Sequence, residues 1–430
     1  MFDNVNPYCL DSLVGLSEQR TVLASDDIYD DRGFKLWAKG QPVSHDLQDK
    51  LLRRRLRKPL ETSLEVEDAL SFRDISAAAV EFIERFPHIG RIAGRGALGM
   101  LRDLQSFPVP TPLRLLLTAA QVNDPRSFQH TLSTVLVCAG LADRAGMSEH
   151  DARLLMVAAL LHDIGEIYIK PDYLKSAYRL GPHEWKHVAS HPRIGQMLIQ
   201  EVSTLPSAVA LIVGQHHERL DGSGYPNQWA RARQHPLSNW LAVADTASAI
   251  LARADAGAPL RVALALRVVP EEYDRQAVGV MTQALRHSGD AYGGDGDAHC
   301  IQRAGDTWRQ VVQAARLAAS LCREGTEAFV RTLAAATASV LSNLEKSLRA
   351  TGVVDTEHLC FASSDGELLA EIGLVVRETE WRLRNLARNV HLQAEIHAGG
   401  ATLGELAGLV AALDTPAATP DVPRAALAAA

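Results

Sequence analysis

The sequence predicts a mainly α protein, with a small β-containing region at its N-terminal end and a helical bundle at its C-terminal end. Three observations lead there. Hydrophobic residues make up 47% of the chain but aromatics only 5%, with Ala and Leu dominant; these two lose little rotamer freedom in a helix. From about residue 72 onward the apolar residues recur at helical spacing. Strand-like runs punctuated by turn residues are confined to residues 1–70.

Residues 1–70 form the first expected unit. Val22 and Leu23 precede the acidic stretch SDDIYDD, and GFKLWAKGQPV is broken by Gly33, Gly40 and Pro42, which suits short strands and turns. A basic helix is expected next, over DLQDKLLRRRLRKPL. Its run RRRLRK reads as a solvated helix face, with an anion-binding patch as the alternative.

Residues 71–290 form the second unit, with a core over 120–290. Pro108, Pro110 and Pro112 break the chain before LRLLLTAAQ, and a helix should run from Pro125 to Ala145. The segment DARLLMVAALLHDIG is apolar almost all the way round, so it should be a buried central helix. Asp151 is its expected start and Gly165 its stop. PHEWKHVASHPRIGQMLIQ and SAVALIVGQHHERL follow, the latter ending in a DGSGYP turn. SNWLAVADTASAILARADAG reads as a helix closed by Gly257.

A Gly/Asp-rich linker, AYGGDGDAHC, separates this unit from long helices over 301–413. These suggest a bundle or a self-associating pair. The Pro/Ala-rich tail 414–430 is expected to be disordered.

The formal net charge is -7, which argues against general attraction to nucleic acid or anionic lipid. Five dispersed cysteines without a C-x-x-C pair fit reduced thiols in a cytoplasmic protein. The first residues lack the basic and apolar regions of a signal peptide, and no apolar run reaches the ~18 residues of a membrane span.

The chemistry is carried by polar residues placed within or at the ends of apolar helical segments: His130, His162, Asp163, His191, His216, His217 and Asp245. Any one alone is most simply a satisfied core residue. Together they would be costly unless something pairs them, and metal coordination pairs all of them. Imidazole with carboxylate and no thiolate suits iron, manganese, zinc or nickel, and disfavours a structural zinc site. Seven ligands exceed what one ion takes. Two divalent ions bridged by a carboxylate use them naturally, and such pairs serve displacement at phosphorus.

These residues carry a resemblance. HDIGEIYI at 162–169, His191, HHERLDGSGYP at 216–226 and Asp245 resemble the HD-GYP family of the HD phosphohydrolase superfamily, over about residues 120–290. The resemblance implies an all-helical HD-type domain that binds two or three iron- or manganese-like ions. It also implies hydrolysis of cyclic di-GMP to pGpG or GMP. By position, the seven residues above resemble the metal ligands. His162 and Asp163 would be catalytic, with Asp163 the bridging carboxylate that orients the attacking water. Arg126 stands where some members carry a Glu for a third metal, which implies the two-metal kind. Glu218 and Arg219 are either supports of the ligands or surface residues.

Two departures concern the substrate. Glu166 stands where the family usually has Lys. On the Asp245 helix, Ser248 and Ala254 replace an Asp and an Arg, with Arg253 one residue away, about 100° round a helix. Lys170, Lys175, Arg253 and Tyr225 are therefore the candidate substrate contacts. Two other readings stay open: a non-catalytic module that binds a partner such as a GGDEF-type diguanylate cyclase, and a phosphohydrolase of another nucleotide. Self-association through the C-terminal helices is expected.

Overall fold

Proline and polar caps set where most helices begin, and the order of the helices sets where the site forms. The structure, a computed structural model, describes residues 4–52, 54–175, 180–252, 257–286, 299–323, 326–354, 365–397 and 400–414. Helix α1 (Pro7–Ser17) starts at Pro7, and the Asn6 side chain accepts from the Tyr8 and Cys9 amides. Proline suits a first turn, where its missing N–H has no helical partner anyway. Four short strands follow: β1 (Val22–Ala24), β2 (Ile28–Tyr29), β3 (Lys35–Trp37) and β4 (Leu64–Val66). They make two antiparallel pairs, β1 with β4 and β2 with β3. Val22 lies opposite Val66, and both are buried.

The basic run departs from expectation. Helix α2 (His45–Leu51) ends before it. Arg55 and Leu56 instead form extended bridges to Asn4 and Asp30. Pro59 disfavours helix in the residue before it. The charges also find partners across the loop, Arg54 on Asp30 at 3.3 Å and Lys58 on Asp26 at 3.0 Å. The run thus ties down the acidic SDDIYDD segment rather than forming a helix face.

The helical domain contains α3 (Phe72–Arg85), opened by a Ser71–Asp74 capping box, and α4 (Pro87–Asp103), which kinks at Gly94. Next come α5 (Thr111–Asn123), α6 (Pro125–Ala145) and α7 (Glu149–Leu161). Helix α7 starts two residues earlier than Asp151, because Ser148 is its N-cap, its side chain accepting from the Asp151 amide. The chain continues through a 3-10 turn at Ile164–Tyr168 to α8 (Pro171–Leu174), α9 (Pro182–Val188), α10 (His191–Val202), α11 (Ser207–Gln215) and α12 (Pro236–Leu251). Helix α12 ends well before Gly257, which instead precedes α13 (Ala258–Ala265); α14 (Arg275–Leu285) completes this part. One continuous core runs from Cys9 to Leu285, so the N-terminal strands and the helical domain share a single interior.

The C-terminal helices are α15 (His299–Leu321), α16 (Ala328–Thr351), α17 (Gly366–His397) and α18 (Gly400–Leu413). They pack around a second core, which also takes in Val268 and Val269 from the end of the helical domain. Most of the expected linker and the tail after Asp414 lie outside the described residues.

Candidate metal centre

Five helices deliver the seven expected residues to one place. His130 comes from the interior of α6 and Asp245 from the interior of α12. His162 follows the last residue of α7, His191 opens α10, and His216 and His217 follow α11. Helix ends leave backbone carbonyls without partners, and three of these histidines use them. The Nδ1 atoms of His162, His191 and His216 donate to the carbonyls of Ala159, Val188 and Val213, at 2.8, 2.8 and 2.6 Å. A carbonyl only accepts, so each Nδ1 carries hydrogen and each Nε2 of a neutral ring presents a lone pair.

The Nε2 atoms converge. His191 and His216 bring theirs to 3.3 Å from each other. Two lone pairs at that distance repel unless a cation lies between them. Asp163 spans the cluster with its two oxygens. Oδ2 is 2.9 Å from His162 Nε2 and 3.8 Å from His130 Nε2, while Oδ1 is 3.4 Å from His191 Nε2 and 3.7 Å from His216 Nε2. His130 Nε2 also lies 2.9 Å from Asp245 Oδ1. The ligand atoms fall into two groups able to hold an ion: Asp163, His191, His216 and His217, and His130, His162 and Asp245.

The residues fit divalent metal. His217 Nδ1 and Asp245 Oδ2 are buried without a hydrogen-bond partner, 3.7 Å apart, and such groups are costly unless satisfied. The electrostatics agree. Burial opposes charge on His162, yet Asp163 and Asp245 hold its pKa up at about 9. Burial opposes ionisation of Asp163 as well, but His162, His191 and His216 hold its carboxyl well below the usual range. Burial pushes His217 well down, assisted by His216, His191 and Arg219. An anionic field that retains a proton on a buried histidine also favours a metal cation.

The rest of the motif HHERLDGSGYP supports these candidate ligands from behind. Glu218 and Arg219 are buried. Glu218 accepts from the Asn227 and Trp229 amides at 2.8 and 3.0 Å, which closes the loop. Arg219 lies over the Tyr273 ring, 4.8 Å from its centre, and beside Glu272. Tyr273 reaches Thr246, the neighbour of Asp245, at 3.2 Å. Tyr225 stacks on His217, with ring centres 4.6 Å apart, and meets Trp185 edge-on. Its ring is 5% exposed and is engaged in packing rather than open to a ligand.

Of the other expected substrate contacts, the two lysines lie apart from this cluster. Lys170 and Lys175 face Asp172 at 3.9 and 2.7 Å, and among the described residues no contact joins either to the seven candidate ligands. Arg253 and Ala254 lie outside the described residues. Glu166 sits in the 3-10 turn after Asp163. Burial, with the carboxylates of Asp163, Asp124 and Asp245, pushes its carboxyl well up, which favours the neutral acid in the metal-free site. Ser248 is buried one turn beyond Asp245, its hydroxyl without a partner.

Sequence reasoning missed the supports that come from far along the chain. The side chains of Asn389 and Gln393 hold the Gly-Tyr-Pro turn, and Arg382 pairs with Glu272 at 2.7 Å. No local pattern marks these residues, because their role depends on how α17 docks.

A helical domain with paired, buried His and Asp groups defines a metal-binding class of protein. Residues 114–275 match the HD domain family model, and the same segment carries the His162-Asp163 pair and the Gly224-Tyr225-Pro226 turn. The chain is 38% identical over 115 residues to "Cyclic di-GMP phosphodiesterase response regulator RpfG" of Xanthomonas campestris, covering 26% of this chain and 30% of that protein. It is 34% identical over 143 residues to "Cyclic di-GMP phosphodiesterase" of Thermotoga maritima, covering 33% and 39%. It is 30% identical over 149 residues to "3'3'-cGAMP-specific phosphodiesterase 1" of Vibrio cholerae, covering 34% of each. The chain thus spans roughly a third of the length of these relatives. Among solved structures, Bd1817, an HDG"Y"P protein from Bdellovibrio bacteriovorus, aligns with 61% of this chain and 95% of its own at 15% identity and a TM-score of 0.32. Among the described residues, no helix is long and apolar enough to cross a membrane.

Proposed function

We propose that this chain is a metal-dependent phosphodiesterase that hydrolyses cyclic di-GMP to pGpG or GMP at a dinuclear site. One observation carries the reading: the two oxygens of Asp163 face two separate histidine groups. That is the arrangement a bridging carboxylate requires. The similarity to proteins named as cyclic dinucleotide phosphodiesterases supports the same substrate class.

His130, His162 and Asp245 would hold one ion, and His191, His216 and His217 the other, with Asp163 shared. Bound metal would supply Lewis acidity, both to make a water more acidic and to offset phosphate charge. The protein supplies order. The three Nδ1–carbonyl bonds fix ring orientation before any ligand arrives, which spares reorganisation later. Histidine and carboxylate ligands suit iron or manganese. Among the described residues, Cys9, Cys138, Cys300 and Cys322 form no disulfide, which fits a reducing, cytoplasmic setting. Self-association and pairing with a GGDEF-type cyclase remain part of the proposal.

A second reading has one specific support. Glu166 stands near the metal ligands where a phosphate-binding cation is expected, and Lys170 and Lys175 are engaged with Asp172. This favours a metal-binding signalling module with little turnover. Anaerobic purification, metal analysis and chromatography of cyclic di-GMP and 3'3'-cGAMP with iron(II) or manganese(II) separate the readings. Two metals per chain with product from cyclic di-GMP support the first. Two metals without product from either nucleotide sink it in favour of the module, and product from 3'3'-cGAMP alone changes the substrate.

A further inference from the structure

The outer face of the Gly-Tyr-Pro turn is covered by the protein's own C-terminal helix. On α17, Asn389, Leu392 and Gln393 share one face by their spacing. Asn389 is 2% exposed. Its Nδ2 donates to the carbonyls of Ser223 and Gly224 at 3.0 and 3.3 Å, and its Oδ1 accepts from the Trp185 indole at 3.4 Å. Gln393 donates to the carbonyl of Pro226 at 3.2 Å. Leu392 joins Trp185 and Tyr225 in a small apolar cluster. Three of the four backbone carbonyls from Ser223 to Pro226, all but that of Tyr225, are thus held by side chains of α17.

The turn in turn holds a metal-ligand candidate. The Tyr225 amide donates to the His217 carbonyl at 3.1 Å, and the Tyr225 ring stacks on the His217 imidazole. His217 lacks the Nδ1–carbonyl bond that orients His162, His191 and His216. Its Nδ1 is one of the buried atoms without a partner. Its ring direction therefore depends on the stack more than theirs does. We propose that Asn389 is a positioning residue for the metal site: through the Gly-Tyr-Pro turn it makes Tyr225 clamp the His217 ring. The C-terminal helical domain is then a working part of the centre, although none of the seven candidate ligands lies in it.

This rests on the metal-centre reading above, and its test does not need turnover. The isosteric Asn389→Asp places an oxygen against two carbonyls in place of a donor, so contacts become repulsions without a change in volume. Asn389→Ala removes the donor more mildly, should the aspartate variant fold poorly. Leu341→Ala, in the second core far along α16, serves as a control for general loosening of the C-terminal domain. In the full-length protein, hydrogen exchange of the Tyr225 and Asn227 amides should speed up by about tenfold in the Asn389 variants. Manganese affinity should fall by about tenfold. If turnover is present, kcat should fall with KM little changed. Leu341→Ala should leave amide exchange and metal affinity near wild type. The proposal is overturned if both amides keep their protection in the Asn389 variants, or if Leu341→Ala produces the same changes. If wild-type protein turns over no cyclic dinucleotide, the phosphodiesterase reading fails alone, and exchange and metal affinity still decide this one.

Discussion

Gly165 lies so close to His191 that a Cβ built on it would stand 2.1 Å from the His191 carbonyl oxygen and 2.9 Å from the Gly195 amide nitrogen. The turn after Asp163 and the first turn of α10 can approach this closely only without a side chain. That approach brings Asp163 Oδ1 to His191 Nε2. Gly165→Ala must push the two elements apart. Displacement by about an Å at a reacting centre costs about a hundredfold in rate. The variant should lose turnover by about that factor and retain less metal, measured by elemental analysis after gel filtration.

Asp163→Asn tests the bridge itself. An amide keeps one oxygen able to coordinate but places an NH2, which cannot, where the second ion would need the other carboxylate oxygen. Metal content should fall from about two ions per chain to about one, and turnover should vanish. Retention of both ions would show that Asp163 does not bridge.

Glu61 gives a pH dependence outside the metal centre. Its carboxyl is buried, accepts from the Tyr168 hydroxyl through Oε1 and leaves Oε2 without a partner. Burial raises its pKa above the ordinary value. The folded state therefore binds the proton more tightly than the unfolded chain. This stability is fully present below the unfolded pKa and is lost as pH rises through the raised folded value. Glu61→Gln keeps the acceptor for Tyr168 and removes the ionisation. The variant should be more stable than the parent at pH 8, by about 1–3 kcal/mol, with the gap closing toward pH 4. Urea unfolding of metal-free protein across that range measures it.

Arg382 tests the buried link between the two cores. It donates to Glu272 at 2.7 and 2.9 Å and to the Ala265 carbonyl at 2.8 Å. Arg382→Ala leaves Glu272 buried with Arg219 Nε still 3.8 Å away. Breaking such a pair costs about 3–5 kcal/mol, and the remaining Arg219 places the expected loss near the lower end. Arg382→Lys, which keeps a positive charge within reach of Glu272 but loses the forked contact, should recover part of it. Thermal unfolding of both variants decides.

Much of the centre was legible because its chemistry conflicts with its surroundings. Polar residues on apolar helices such as α6, α7 and α12 stand out in one dimension, and α6 spans Pro125–Ala145 as its proline and its glycine at 146 suggest. The basic run at 54–58 was not legible, because its extended form depends on Asp26, Asp30 and Asn4 across a loop. Gly257 looked like a stop because glycine often follows a helix; here it precedes the next one. The grip of α17 on residues 223–226 was equally hidden, since more than 160 residues separate Asn389 from the carbonyls it holds.

Both signature loops are anchored outside the matched segment. On one side, Glu61 accepts from Tyr168 and Asn6 donates to the Tyr168 carbonyl; on the other, Asn389 and Gln393 hold the Gly-Tyr-Pro turn. The stretch 114–275 by which this chain is recognised is therefore smaller than the unit that works. Excised or transplanted alone, it would keep every candidate ligand and lose the fixtures that aim two of its loops. Engineering with this domain should carry residues from both flanks as part of the cassette.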